Sequence, residues 1–139
     1  MSTSRPKSTV LLVEDSDDDA FFFGRAFVKA AVPGRLVRLA DGRAALDYLR
    51  RAAAETEAVS DTHIMFLDLK LPLLSGFDVL RWIQERALPL EVVVLSGSDI
   101  LSDKETARSL GASDYLVKPI SAEELRKRFS GRECELSPT

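Results

Sequence analysis

Short apolar runs alternate along the chain with stretches in which apolar residues recur every three to four positions. Continuous apolar runs rich in β-branched residues are typical of strands that are covered on both faces of a sheet. The stretches between them indicate helices with one buried face. Strands are predicted at residues 9–13, 35–39, 64–67, 90–95 and 115–117, and helices at residues 18–31, 44–54, 76–87, 103–110 and 121–129.

This alternation predicts an α/β fold with a doubly wound, five-stranded parallel sheet. A chain of 139 residues suits one domain. We expect a flexible N-terminus over residues 1–8, the folded domain over residues 9–130 and a C-terminal tail over residues 131–139. In such sheets the functional site lies beyond the carboxyl ends of the strands, so the residues there are the candidates for chemistry.

The first and third predicted strands end in carboxylates. Glu14 and Asp15 follow the first strand, and Asp68 follows the third. Carboxylates that share one rim repel each other, so such a cluster holds a cation or takes up protons. Mg²⁺, or Mn²⁺ in its place, is the hard divalent ion that we expect there. Asp15 and Asp68 would bind it directly, and Glu14 would act through a bound water.

The fourth and fifth strands end in groups that suit a phosphoryl group. Ser96 and Gly97 end the fourth strand, and Lys118 ends the fifth. Catalysis of phosphoryl transfer consists mostly of positioning and positive charge. We therefore predict that Asp68 attacks phosphorus and that Lys118 pairs first with Asp68 and then with a phosphoryl oxygen. Ser96 would donate a hydrogen bond to another oxygen, and Gly97 would leave room for the incoming group.

Taken alone, each of these residues has an ordinary structural explanation. An acidic run after a strand most often begins a helix, where carboxylates favour the helix dipole, and Asp18 and Asp19 fit that explanation. A Lys-Pro pair usually forms a turn, and a Ser-Gly pair usually lies in a loop. Because suitable groups stand at four strand ends, the purely structural explanation is poor for the set as a whole.

Composition narrows the range of partners. The net charge is -3 and no block of basic residues occurs, which argues against direct binding of nucleic acid. No apolar run approaches the ~20 residues that span a bilayer, and the N-terminus lacks the apolar core of a signal peptide. The single cysteine, Cys134, excludes an internal disulfide. We therefore expect a cytoplasmic protein that contacts neither nucleic acid nor membrane.

On these motifs the sequence resembles the receiver domain of two-component response regulators. The resemblance covers about residues 9–129, with its strongest motifs in residues 10–15, 67–72, 95–97 and 115–119. Pro72 and Gly76 stand at the offsets from Asp68 that the family uses. The resemblance implies a flavodoxin-like receiver fold with strand order 2-1-3-4-5. It also implies that a sensor histidine kinase phosphorylates Asp68, and that the protein catalyses only its own phosphorylation and dephosphorylation.

Two further roles are implied by the resemblance. In the family, phosphorylation draws a Ser or Thr inward and an aromatic ring turns into the vacated space, and Ser96 and Tyr115 would be this switch pair. Lys70 stands two residues after the phosphoacceptor. Its backbone carbonyl would bind the metal, and its side chain would alter the lifetime of the acyl phosphate in a direction that the sequence does not predict.

A finer resemblance concerns one subgroup of the family. The Asp-rich turn after the first strand, residues 45–49, the long loop at residues 55–62 and residues 67–72 resemble single-domain regulators that are paired with bacterial phytochrome kinases. This implies a stand-alone regulator whose kinase would be a bacteriophytochrome. Its output would be contact with a downstream protein target or a phosphotransfer protein, and a homodimer is also open.

Three other functions remain as alternatives. A hydrolase with an aspartyl nucleophile generally needs a carboxylate two residues further on, where this chain has Lys70. A flavin-binding module would need a phosphate cradle after the first strand, where residues 14–19 are strongly acidic. A receiver-like docking module that accepts no phosphate is disfavoured, because all the residue types expected at a functional site are present. Binding of Mg²⁺ would separate a functional receiver from a flavin module.

Overall fold

The structure is a computed structural model that describes residues 9–54, 62–97 and 100–136. Its strands form one parallel sheet in the order β2-β1-β3-β4-β5, which confirms the predicted fold class and strand order. The elements are, in chain order, β1 (Thr9–Val13), α1 (Asp17–Lys29), β2 (Arg35–Leu39), α2 (Gly42–Ala54), β3 (Thr62–Asp68), α3 (Gly76–Glu85), β4 (Glu91–Ser96), α4 (Leu101–Ser109), β5 (Asp114–Val117) and α5 (Ala122–Leu136).

The central strand β1 shows why continuous apolar runs form this sheet. Its side chains alternate between the two faces, and both faces are covered by helices. Leu11 and Val13 pack into a cluster with α2, α3 and α4, whereas Val10 and Leu12 pack into a second cluster with α1 and α5. Every position of β1 is therefore buried.

Aromatic rings tie α1 and α5 to the sheet. The ring centre of Phe66 on β3 lies 5.0 Å from that of Phe23 on α1 and 6.4 Å from that of Phe129 on α5. Such tilted pairs add packing energy to the burial of a large apolar area. These contacts pack α1 and α5 side by side on the same face of the sheet.

Several element boundaries differ from the prediction. The helix α3 ends at Glu85 instead of residue 87, because Ala87 adopts a left-handed conformation with φ 51° that closes the helix. The helix α5 continues to Leu136, past the predicted end at residue 129 and into the predicted tail. Residues 1–8, residues 55–61 of the predicted loop and residues 137–139 lie outside the described residues.

In the part of the chain that the structure describes, no helix has both the length and the apolar character needed to cross a bilayer.

The turn between β3 and α3 contains a conformation that is costly for its residue. Leu73 has φ 70°, and its side chain is 93% exposed, so burial does not offset the strain. A left-handed conformation costs a residue with a Cβ roughly 1–2 kcal/mol, whereas glycine adopts it freely. The strain therefore lies in the backbone.

Replacing Leu73 with glycine is expected to stabilise the fold. The strain relieved exceeds the extra entropy of glycine in the unfolded chain, so Leu73→Gly should raise the free energy of unfolding by about 0.5–1 kcal/mol. Urea denaturation measures this difference. Leu73→Ala is the matched control because it removes the exposed side chain but keeps the Cβ. An equal gain in both variants would show that the side chain, and not the backbone, causes the effect.

Candidate functional site

Two neighbouring strands bring the predicted acidic residues together. Val13 pairs with Leu67 in the parallel register of β1 and β3, so the next residues, Glu14 and Asp68, emerge side by side. Both of these side chains are buried, whereas Asp15 is exposed. One carboxylate oxygen from each of the three residues lies within 4.8 Å of the others.

Lys118, directly after β5, supplies positive charge to this cluster. Its Nζ donates hydrogen bonds to Asp19 Oδ2 at 2.8 Å, to Glu14 Oε1 at 3.0 Å and to Asp68 Oδ2 at 3.4 Å. The predicted contact between Lys118 and Asp68 is therefore present, but its distance is the longest of the three. The shortest contact is made to Asp19, which the sequence analysis had explained as part of a helix N-terminus.

Burial, hydrogen bonds and neighbouring charges shift the pKa values of two groups at the site. Burial raises the pKa of Glu14 to about 7, and the neighbouring Asp68 acts in the same direction, while the backbone N–H of Ser16 and the ammonium of Lys118 oppose the shift. Burial alone would lower the pKa of Lys118. Its hydrogen bonds to Asp19 and Glu14 and the charge of Asp68 outweigh that effect and raise the pKa. Lys118 is therefore held in its charged form.

The strand ends are also joined through their backbones. The backbone N–H of Leu69 donates to the carbonyl of Leu95 at 3.1 Å, and the N–H of Lys118 donates to the carbonyl of Ser96 at 2.7 Å. At the neighbouring pair of strands, β1 and β2, the N–H of Glu14 donates to the carbonyl of Leu39 at 3.0 Å. Sheet pairing thus continues past the last strand residues and aligns the side chains of the site.

Ser96 and Gly97 lie where the sequence predicted them, at the end of β4. Ser96 is buried, and Gly97 lines the cleft above Asp68. A Cβ added at Gly97 would meet no atom within 4 Å, so the space next to it is open. Tyr115 lies on β5, half-buried against the cluster formed with α2, α3 and α4, and Lys104 Nζ of α4 lies 5.9 Å from the centre of its ring.

The donor set fits a hard divalent cation. Glu14, Asp15 and Asp68 offer oxygen atoms only, which is the ligand type that Mg²⁺ and Mn²⁺ prefer. Two of these carboxylates are buried next to each other, and the single ammonium of Lys118 leaves their combined charge in excess. The backbone N–H of Lys70 donates to Asp68 Oδ1 at 3.2 Å, which places this residue beside the cluster.

Two residues at the site were missed by the sequence analysis. Asp19 reaches Lys118 because Ser16 caps α1 and accepts a hydrogen bond from the backbone N–H of Asp19. Its position in the first turn of a helix that follows a strand end was the available signal. Arg38 of β2 donates from Nε to the carbonyl of Glu14 at 3.0 Å and from Nη1 to Asp17 at 2.8 Å. No local pattern around Arg38 indicated this contact.

A cleft of about 600 Å³ opens above these groups. One wall is polar and charged, and the other is apolar and comes from α1 and from the turn after β5. The residues that line the cleft are Glu14, Asp19, Phe22, Phe23, Asp68, Lys70, Leu95, Gly97, Lys118, Pro119 and Ile120. Asp68, although largely buried, is therefore one of the residues that face this cleft.

This fold and this site together define a doubly wound domain with an acidic rim at the carboxyl ends of its strands, suited to a divalent cation and an anionic group. A family model of the response regulator receiver domain matches residues 10–130. The chain belongs to this family, so it is a receiver domain of a two-component signalling system.

Curated relatives agree with this assignment. The probable methanogenesis regulatory protein FilR2 of Methanothrix harundinacea is 41% identical over 120 residues, which are 85% of this chain and 76% of that protein. The alkaline phosphatase synthesis transcriptional regulatory protein SphR of Synechococcus elongatus is 33% identical over 125 residues, which are 88% of this chain. The chain spans 48% of the length of SphR, about half.

Solved structures resemble the whole domain. The phosphorylated cyanobacterial phytochrome response regulator RcpA is 31% identical, with a TM-score of 0.72 and 91% of each chain covered. The Mn²⁺-bound form of response regulator Rcp1 is 28% identical, with a TM-score of 0.69, and the match covers 95% of this chain and 96% of that one. Receiver domains are signalling proteins that bind a divalent metal at an acidic cluster and are generally phosphorylated on Asp by histidine kinases.

The start of α3 is packed against the backbone of Asp68. A Cβ added at Gly76 would lie 2.3 Å from the carbonyl oxygen of Asp68 and 2.7 Å from Leu69 Cα. Backbone atoms cannot yield as the end of a flexible side chain does. Any side chain at this position therefore displaces the segment that carries Asp68.

Gly76→Ala is expected to lower the free energy of unfolding by about 1–3 kcal/mol, because the added methyl group overpacks the turn after β3. Thermal or urea denaturation measures the loss. Gly24→Ala is the matched control, since a Cβ at Gly24 in α1 meets no atom within 4 Å and should raise stability by about 1 kcal/mol. Equal stability of the Gly76→Ala variant and the unmodified protein would contradict the close approach of α3 to Asp68.

Proposed function

We propose that this chain accepts a phosphoryl group on Asp68 from a sensor histidine kinase and thereby switches a protein-interaction face. One observation carries the proposal: the buried carboxylate of Asp68 lines an open cleft and lies next to the ammonium of Lys118 and the carboxylates of Glu14 and Asp15. A nucleophile, positive charge and a cation site are thus adjacent, as phosphoryl transfer requires.

In the proposed reaction, a carboxylate oxygen of Asp68 attacks the phosphorus of a phosphohistidine. The new P–O bond forms as the P–N bond breaks, and the imidazole leaves with the electron pair and takes up a proton. Lys118 pairs with one phosphoryl oxygen, and Ser96 donates a hydrogen bond to another. Attack of water on phosphorus later releases phosphate and restores the carboxylate. The open space beside Gly97 admits the group.

We propose that Asp15 and Asp68 hold Mg²⁺ or Mn²⁺ directly, that Glu14 acts through a bound water, and that the carbonyl of Lys70 completes the protein ligands. The bound ion would supply positive charge against the phosphoryl oxygens. The oxygen-only donor set supports this assignment, as does the Mn²⁺-bound form of the similar regulator Rcp1. The ligand set is part of the proposal.

We propose a bacterial phytochrome as the kinase, on the basis of the likeness to RcpA, a phytochrome response regulator. The domain would act in the cytoplasm and pass its signal on through protein contact. A downstream target, a phosphotransfer protein or a second copy of the chain would contact the face around Tyr115. This proposal concerns the receiver domain itself.

Incubation with acetyl phosphate and Mg²⁺, followed by intact mass measurement, tests the phosphoacceptor. We expect a gain of one phosphoryl group that requires the metal and is abolished by EDTA, because the site otherwise carries excess negative charge. Asp68→Asn should abolish the gain, and Asp78→Asn, a change of the same type on α3, should not. A gain that persists in Asp68→Asn would overturn the assignment. Absence of any gain with this donor and with phosphoramidate would favour a docking module that accepts no phosphate.

The proposed switch predicts a local change at Tyr115. Phosphorylation should draw the Ser96 hydroxyl toward the phosphoryl group and move the ring of Tyr115 away from Lys104. The NMR signals of ¹³C-labelled tyrosine should therefore shift for Tyr115 on phosphorylation, and this shift should be lost in Ser96→Ala. Tyr48, the other tyrosine of the chain, is the internal reference. The switch would be contradicted if the Tyr115 signal shifted on phosphorylation by the same amount in Ser96→Ala as in the unmodified protein. A Tyr115 shift no larger than that of Tyr48 would also contradict it.

A further inference from the structure

We propose that Asp19 is a positioning residue that restrains Lys118 and competes with the phosphoryl group for its ammonium. The proposal rests on the proposed phosphorylation of Asp68 and deepens it by naming a residue that sets the rate of that step. Asp19 neither attacks phosphorus nor belongs to the carboxylate set that could hold a metal in the described residues. Its effect is exerted through Lys118.

The geometry of Lys118 carries the argument. Its Nζ lies 2.8 Å from Asp19 Oδ2 but 3.4 Å from Asp68 Oδ2. The ammonium therefore stands closer to α1 than to the carboxylate that would receive the phosphoryl group. Charge-assisted hydrogen bonds are strongest at the shorter of these distances. In the unphosphorylated protein, Asp19 is thus the tighter of these two partners of Lys118.

The other two acceptors of Lys118 have a second role at the site. Glu14 and Asp68 are also members of the carboxylate cluster that fits a divalent cation, whereas Asp19 is not. A cation at that cluster would compete with Lys118 for the oxygens of Glu14 and Asp68. Asp19 would then be the one acceptor of Lys118 for which the cation does not compete. The hydrogen bond from the ammonium to Asp19 should therefore persist when metal is bound.

The position of Asp19 is fixed by the fold and not by the ion pair alone. Its backbone N–H donates to Ser16 Oγ at 3.2 Å in the N-cap of α1. Phe23, one turn further along α1, packs on Phe66 of β3 and anchors the helix on the sheet. Lys118 is fixed in turn by its backbone hydrogen bond to Ser96. The contact therefore joins two anchored segments.

Removing the charge of Asp19 should accelerate phosphorylation. When acetyl phosphate is the donor, the P–O bond to Asp68 forms as the bond to the acetate oxygen breaks and acetate leaves. Lys118 stabilises the phosphoryl oxygens only after it turns away from Asp19. Because the Asp19 side chain is 43% exposed, the contact is worth little more than a surface ion pair, and Asp19→Asn should raise the rate about two- to fivefold.

The rate test uses Asp18→Asn as the matched control. Asp18 is the preceding residue, is exposed and undergoes the same change of charge, so it reports the general effect of a lost negative charge near the site. Asp19→Glu keeps the charge and should keep the rate close to that of the unmodified protein. A faster rate in Asp19→Asn than in the control supports the proposal. Equal rates in the two asparagine variants, or a slower rate in Asp19→Asn, would overturn it.

A second measurement needs neither metal nor donor. In metal-free protein, the ¹⁵N and ¹H signals of the Lys118 ammonium should shift in Asp19→Asn and stay unchanged in Asp18→Asn, since Asp19 accepts a hydrogen bond from this ammonium and Asp18 is not among its acceptors. An unchanged Lys118 signal in Asp19→Asn would overturn the proposal even where the phosphorylation rates differ. Failure of the proposed function is a distinct result, because it is seen as absence of phosphoryl uptake or as uptake that does not depend on Asp68, and neither outcome alters the Lys118 signals of the metal-free protein.

Discussion

Repulsion among buried carboxylates is the constraint on which the site depends. Parallel pairing of β1 and β3 places Glu14 and Asp68 side by side, and neither can move away without breaking the register of the sheet. The ammonium of Lys118 offsets part of this charge from the end of β5, which lies two strands from β3 and three strands from β1. Burial raises the pKa of Glu14, and the neighbouring Asp68 adds to this shift. A site with excess negative charge favours the binding of cations. It can accommodate an anionic phosphoryl group only when enough positive charge is present to offset the repulsion.

The two faces of the sheet contribute differently to this site. On one face, Phe66 holds α1 and α5 through Phe23 and Phe129, and α1 in turn carries Asp19 to Lys118. On the other face, Tyr115 packs beside α4, where the proposed switch would act. The groups at the strand ends are thus supported by a buried aromatic cluster on one side. The response would be expressed on the other side, where the ring of Tyr115 is only half-buried.

The sequence predicted the fold and most of the site because both depend on strand ends. Alternation of buried strands and amphipathic helices leaves few arrangements for a chain of this length, and polar residues directly after buried strands must meet at one rim. The left-handed Ala87, which ends α3, was not visible because alanine has no preference for that conformation. Asp19 and Arg38 were missed because their contacts join elements whose relative placement is set by tertiary packing.

Backbone hydrogen bonds continue the sheet past the ends of its strands, and they join the segments that follow neighbouring strands into one hydrogen-bonded frame. The backbone of Leu69 is hydrogen-bonded to Leu95, and that of Lys118 to Ser96, so the segments that carry Asp68, Ser96 and Lys118 are joined. In the proposed switch, the response would pass from Ser96 on β4 to Tyr115 on the neighbouring edge strand β5. This path would need rotation of side chains, while the backbone bonds keep the strand ends aligned.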